Sequence, residues 1–87
     1  MGQEKSVISR KQIVAARGLL EMTQEELAQA VGVTVTALSR IESGKAMPRS
    51  STLEKIRQAL ENRGIEFTNG TEPGVRFSPS KVIIPVP

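Results

Sequence analysis

Apolar residues recur every three or four positions between residues 13 and 60, then every second position after Gly64. The first spacing is that of one helix face, the second that of one face of a strand. Four helices are therefore predicted, near residues 9–21, 24–31, 35–43 and 51–62. Ile13, Ala16 and Leu20 share a face of the first, with Arg17 beside it, and Leu53, Ile56 and Leu60 share a face of the fourth, with Ala59 beside them. The expected core is Ile13, Leu20, Leu27, Val31, Leu38, Ile41, Leu53, Ile56 and Leu60.

Punctuation supports these bounds. Ser9 reads as an N-cap with Gln12 completing a capping box, and Thr23 as another with Glu26, helped by a hydrophobic staple from Met22 to Leu27. Gly32 closes the second helix. Thr34 caps the third, with a staple from Val33 to Leu38, and Gly44 ends it. Ser51 is read as the cap of the fourth, with Glu54 as its capping-box partner and Gly64 as the stop. Gly18, in the last turn of the first helix, is read as weakening that helix while permitting close packing. Helices of two or three turns are marginal alone, so they must exist by packing together.

Beyond Gly64, Ile65-Glu66-Phe67-Thr68 and Val75-Arg76-Phe77 alternate apolar and polar around a glycine-containing turn, which predicts a β-hairpin. Glu66 and Arg76 fall on its outward face, Phe67 and Phe77 on its inward face. Such a hairpin is marginal unsupported, so it needs a helix surface or a second chain beneath it. The organisation expected is a flexible N-terminal segment at 1–8, a helical domain at 9–63, a hairpin and dimerisation element at 64–78, and an extended, proline-broken tail at 79–87. The fold class is mainly α.

Residues 24–41 carry the most information. Ala28 is small where two steeply crossed helices approach, and Gly32 suits a turn that requires positive φ. Leu38 and Ile41 turn one stripe of the third helix inward. Val35, Thr36 and Arg40 occupy the opposite stripe, with nothing in the chain to pack against. That combination is a helix-turn-helix whose second helix is shaped to enter a DNA major groove.

Composition narrows the chemistry. The 87 residues carry a net charge of +3, which suits an anionic partner. Cysteine and histidine are absent, and the acidic residues are nine glutamates, spread along helices. Zinc ligands, thiol nucleophiles, disulfides and the commonest general base are thereby missing, so the chain is read as no enzyme, with no cofactor and no metal. It has no apolar signal region and no run of the ~20 residues needed to span a membrane, so a cytoplasmic setting is expected.

Residues 13–61 resemble the Cro and lambda-repressor type of helix-turn-helix domain, the xenobiotic-response-element type of regulator found in bacteria and phage. The matching residues are Arg17-Gly18-Leu19-Leu20-Glu21-Met22-Thr23-Gln24-Glu25-Glu26-Leu27-Ala28, Val31-Gly32-Val33-Thr34 and Leu38-Ser39-Arg40-Ile41-Glu42-Ser43-Gly44-Lys45. The resemblance implies that Gln24 and the helix end it starts hold a DNA phosphate. Thr34 would cap the recognition helix and touch a phosphate. Val35, Thr36, Ala37 and, one turn later, Arg40 would reach base edges, and Ser43 and Lys45 would meet the backbone. It also implies an ion pair between Arg17 and Glu42. Plainer readings stand beside these: Thr34 a cap alone, Arg40 a solvated charge, Val35 covered by Val33 or Leu38, and Arg17 and Glu42 two separate surface charges. The family's usual fifth helix, which often helps dimerise, is replaced here by the hairpin at 65–77.

The leading functional expectation is a sequence-specific transcriptional regulator, a repressor, binding double-stranded DNA as a homodimer on a two-fold operator. The alternative is a protein-interaction module, an antitoxin or coactivator, whose C-terminal segment Val82-Ile83-Ile84 adds to a protein partner's sheet edge.

Overall fold

A computed structural model describes residues 8–69 and 73–78. Its order is α1 (Arg10–Leu20), α2 (Gln24–Val31), α3 (Val35–Glu42), α4 (Ser50–Glu61), β1 (Ile65–Thr68) and β2 (Gly74–Phe77). The four helices thus fall within a residue or so of their expected bounds. Both capping boxes form, at Ser9 with Gln12 and at Thr23 with Glu26. Gly32 closes α2 with φ 90°, and the turn there returns Val33 N–H to Ala28 O.

α1 packs against α3, α4 and β2, and α2 against α3 and α4. Ile13, Leu27, Leu38, Ile56 and Leu60 are fully enclosed, while Ile41 is buried and Leu20, Val31 and Leu53 are partly buried against the same cluster. Met22 and Leu27 are both buried, as the staple required.

Three local expectations change. Ile8, assigned to a flexible start, is 3% exposed and belongs to the core; an apolar residue just ahead of a cap can fold back under the helix it precedes. Residues 1–7 and the tail at 79–87, with its Val82-Ile83-Ile84 run, lie outside the described residues. α4 starts one residue early, with Arg49 as an N-cap that offers no side-chain hydrogen bond. Ser51 therefore sits inside the first turn, and Glu54 pairs with Arg57 at 2.7 Å rather than closing a capping box. Gly18 has open space where a Cβ would stand, so it serves no close packing. α1 ends instead through Glu21 at φ 54°, with Met22 N–H reaching Arg17 O and Glu21 N–H reaching Gly18 O, the paired bonds of a Schellman motif.

The expected hairpin forms, antiparallel with Ile65 opposite Phe77 and Glu66 opposite Arg76; the latter two share the outward face as expected and are joined at 3.1 Å. Its support comes from the chain itself: β1 packs on α4 and β2 on α1. Ile65 is buried in the helical core, whereas Phe77, on the same strand face, is 44% exposed.

Gln12 ties the two parts together. Its Oε1 accepts from Ser9 N–H at 2.9 Å, completing the capping box, and its Nε2 donates to Thr68 O at 3.0 Å and Gly74 O at 2.9 Å. The residue is 6% exposed, so those donors have little water to fall back on. Gln12→Glu keeps the capping acceptor but sets a carboxylate against two carbonyls. It is expected to cost about 1–3 kcal/mol at neutral pH, with hydrogen exchange accelerated at 65–68 and 74–77. Unchanged protection of those strands would remove the clamp from the account.

Candidate nucleic-acid interface

The third helix is short, so its orientation depends on its ends. Thr34 Oγ1 accepts from Ala37 N–H at 3.0 Å, fixing the first turn, and leaves its own O–H to donate outward. Leu38, Ile41 and Glu42 are buried on one side. Thr36, Ser39 and Arg40 are exposed on the other, Val35 is 38% exposed at its edge, and Ala37 is half-buried. The structure thus brings Thr34, Val35, Thr36 and Arg40 onto one open face and sets Ala37 at its flank. Ser39 was missed by the sequence reading; a 100° rotation per residue puts it between Val35 and Thr36, so the helical period alone would have found it. Among the described residues Arg40 meets no carboxylate, unlike Arg17, Arg57 and Arg76.

At the far end the helix stops in a tight turn. Gly44 has φ 84°, and the turn folds Lys45 N–H back to Arg40 O at 2.8 Å. A side chain is strained in that left-handed conformation, which explains glycine there. Ser43 and Lys45 are exposed, and Ser43 Oγ donates to Arg40 O at 3.3 Å.

One carboxylate holds the three helices in place. Glu42 Oε2 accepts from Arg17 Nε at 2.8 Å, and Oε1 accepts from Arg17 Nη2 at 2.8 Å and Gln24 Nε2 at 2.9 Å. Arg17 Nη1 also donates to Met22 O at 2.8 Å. Side-chain exposure is 18% for Arg17 and 4% for Glu42, so the expected pair is an internal bidentate one and not two surface charges. Burial alone would push the Glu42 carboxyl up; hydrogen bonds from Arg17 and Gln24, with the Arg17 charge, outweigh it and hold the group below its ordinary value. Arg17 moves up, chiefly through its hydrogen bonds to Glu42.

Gln24 therefore has a partner that its position in the sequence did not disclose. One amide hydrogen is committed to Glu42, which leaves the other N–H and Oε1 for anything outside. It borders a shallow cleft of about 470 Å³ lined by Arg17, Thr23, Gln24, Glu25 and Val35. The cleft lies between the first turns of α2 and α3, where backbone N–H groups point outward and the helix dipole favours an anion. Glu25 works against an anion there, so the exposed backbone and Gln24 would have to dominate. Among the described residues, no cluster of metal-ligating side chains exists, and no helix is long and apolar enough to cross a membrane.

A family model described as helix-turn-helix matches residues 13–67, from the core of α1 into β1. A stretch of 51 residues, 59% of this chain, is 37% identical to Multiprotein-bridging factor 1b of Arabidopsis thaliana. The match spans 36% of that relative's length.

Proposed function

The chain belongs to the helix-turn-helix family, and on that premise we propose that it is a cytoplasmic, sequence-specific DNA-binding transcriptional regulator, a repressor acting as a homodimer, and not an enzyme. The observation that carries this reading is the open face of α3, where Val35, Thr36, Ser39 and Arg40 stand unobstructed beside the cleft at the start of α2. In the major groove Arg40 offers a bidentate donor to guanine, and Val35 an apolar contact for a thymine methyl. Gln24, Thr34, Ser43 and Lys45 would hold phosphates and set the register. A single module gives a small interface, so useful affinity calls for two copies on a palindrome, about 34 Å apart. Phe77, half-exposed on a supported hairpin, is the surface we assign to that pairing.

Selection of bound sequences from a random duplex pool tests the reading. Enrichment of a palindrome with half-sites one helical turn apart is expected, and no enrichment would sink it. On the selected site Arg40→Ala should cost about 1–3 kcal/mol and relax preference at one base pair per half-site, whereas Lys45→Ala should weaken all sequences alike and lower the salt slope by about one. Equal losses by both variants on selected and random DNA would make Arg40 a phosphate contact.

A second reading, a module that bridges proteins, is favoured by the name of the plant relative alone. A second polypeptide co-purifying from the native host, with no enriched sequence, would select it.

A further inference from the structure

We infer that Arg10, at the start of α1, is a further DNA-phosphate contact, acting with Lys45 across the turn that ends α3; the inference rests on the DNA-binding reading above. Nothing in the sequence pattern pointed to this residue. A Cβ built on Gly44 would stand 3.0 Å from Arg10 Nε and 3.4 Å from its Cδ and Cζ, so the guanidinium lies against bare backbone immediately before Lys45. Arg10 Nη1 donates to Glu42 O at 3.2 Å, which fixes the side chain at the α3 C-terminus.

That bond uses one of the five N–H groups of a guanidinium. The Glu42 carboxylate is already occupied by Arg17 and Gln24, so Arg10 reaches only the backbone oxygen of that residue. Arg17, two turns further along α1, is spent on architecture; Arg57 and Arg76 are each closed by glutamates. Arg10 is exposed and makes no ion pair among the described residues, and the same holds for neighbouring Lys45. Two cations flanking one turn, with no counter-charge among the described residues, favour an anion beside them. The flat fork of donors suits a phosphodiester, with its two free oxygens.

Position fits as well. The Gln24 cleft flanks the beginning of α3, and Arg10 with Lys45 flanks its end. A helix of eight residues is about 12 Å long, close to the width of a major groove, so contacts at its two ends can address the two strands that bound it.

The test uses the full chain with a mixed-sequence duplex of about two helical turns, titrated between about 50 and about 200 mM salt. Circular dichroism fixes a temperature at which every variant is fully folded. Arg10→Met should bind several-fold more weakly at the lowest salt, and its log–log salt slope should be shallower by about one. Arg10→Lys, which keeps the charge without the fork, should restore the slope but not all of the affinity. Arg76→Met, which removes a paired arginine on the hairpin, should change neither. A fully folded Arg10→Met with the wild-type slope overturns the inference and leaves the DNA reading intact, making Arg10 only a cap for α3. Failure of the wild-type chain to bind any duplex overturns both.

Discussion

Glu42→Ala is expected to destabilise the domain by about 3–5 kcal/mol, the cost of breaking a buried charge pair from one side. A domain of this kind has about 5–15 kcal/mol in total, so a large part of its stability would go. The loss exceeds that of an exposed pair because three donors, two from Arg17 and one from Gln24, converge on a carboxylate with 4% side-chain exposure. Truncation leaves them facing a site that water reaches poorly, and it unties α1 and α2 from α3 together. The pH dependence carries the same signature. The Glu42 carboxyl titrates below its ordinary value in the folded chain. Its contribution is therefore complete above the unfolded pKa, about 4.3, and is lost as pH falls through the folded one. Wild-type melting temperature should drop on that acid limb, and the Glu42→Ala curve should be flatter there. Equal melting temperatures for the two proteins at neutral pH would mean a solvated pair.

Ile65→Ala should cost about 2–5 kcal/mol, as for other buried large-to-small changes. Ile65 is 1% exposed and sits in one cluster with Ile56, Ala59 and Leu60 from α4 and Ile13 from α1. The sequence left open whether a helix surface or a second chain supports the hairpin; the burial of Ile65 makes it part of the helical core. A single cooperative transition is expected by far-ultraviolet dichroism and by hydrogen exchange at 65–68. A loss under about 0.5 kcal/mol, the range of ordinary surface changes, would detach the hairpin from the core. Truncation after Gly64 removes Ile65 as well, so it tests folding before it tests dimerisation. Phe77→Ser separates the two, because a half-exposed ring contributes less to the core and more to any surface that pairs.

The residues that define each helix were legible because their chemistry is local. A cap and its partner lie three positions apart, as Thr23 and Glu26 do, and an apolar face repeats every turn, as Leu38 and Ile41 show. Helix order, the Gly32 turn, the hairpin with Glu66 and Arg76 on one face, and the outward set of Val35, Thr36 and Arg40 followed from such short-range rules. At the start of α4 the capping pattern misled: Ser51 reads as the cap, whereas the N-cap is Arg49, two residues earlier.

The sequence by itself determined which segments are helix and strand and which face of α3 has no partner among the described residues. Only the tertiary structure decided the long-range partners of several polar side chains. Gln12 reaches across to Thr68 and Gly74, Gln24 turns toward Glu42, and Arg10 settles on the turn at Gly44. The reason is physical: flexible polar side chains have many rotamers and no period, and which donors meet which acceptors is set by how the helices pack and not by spacing along the chain.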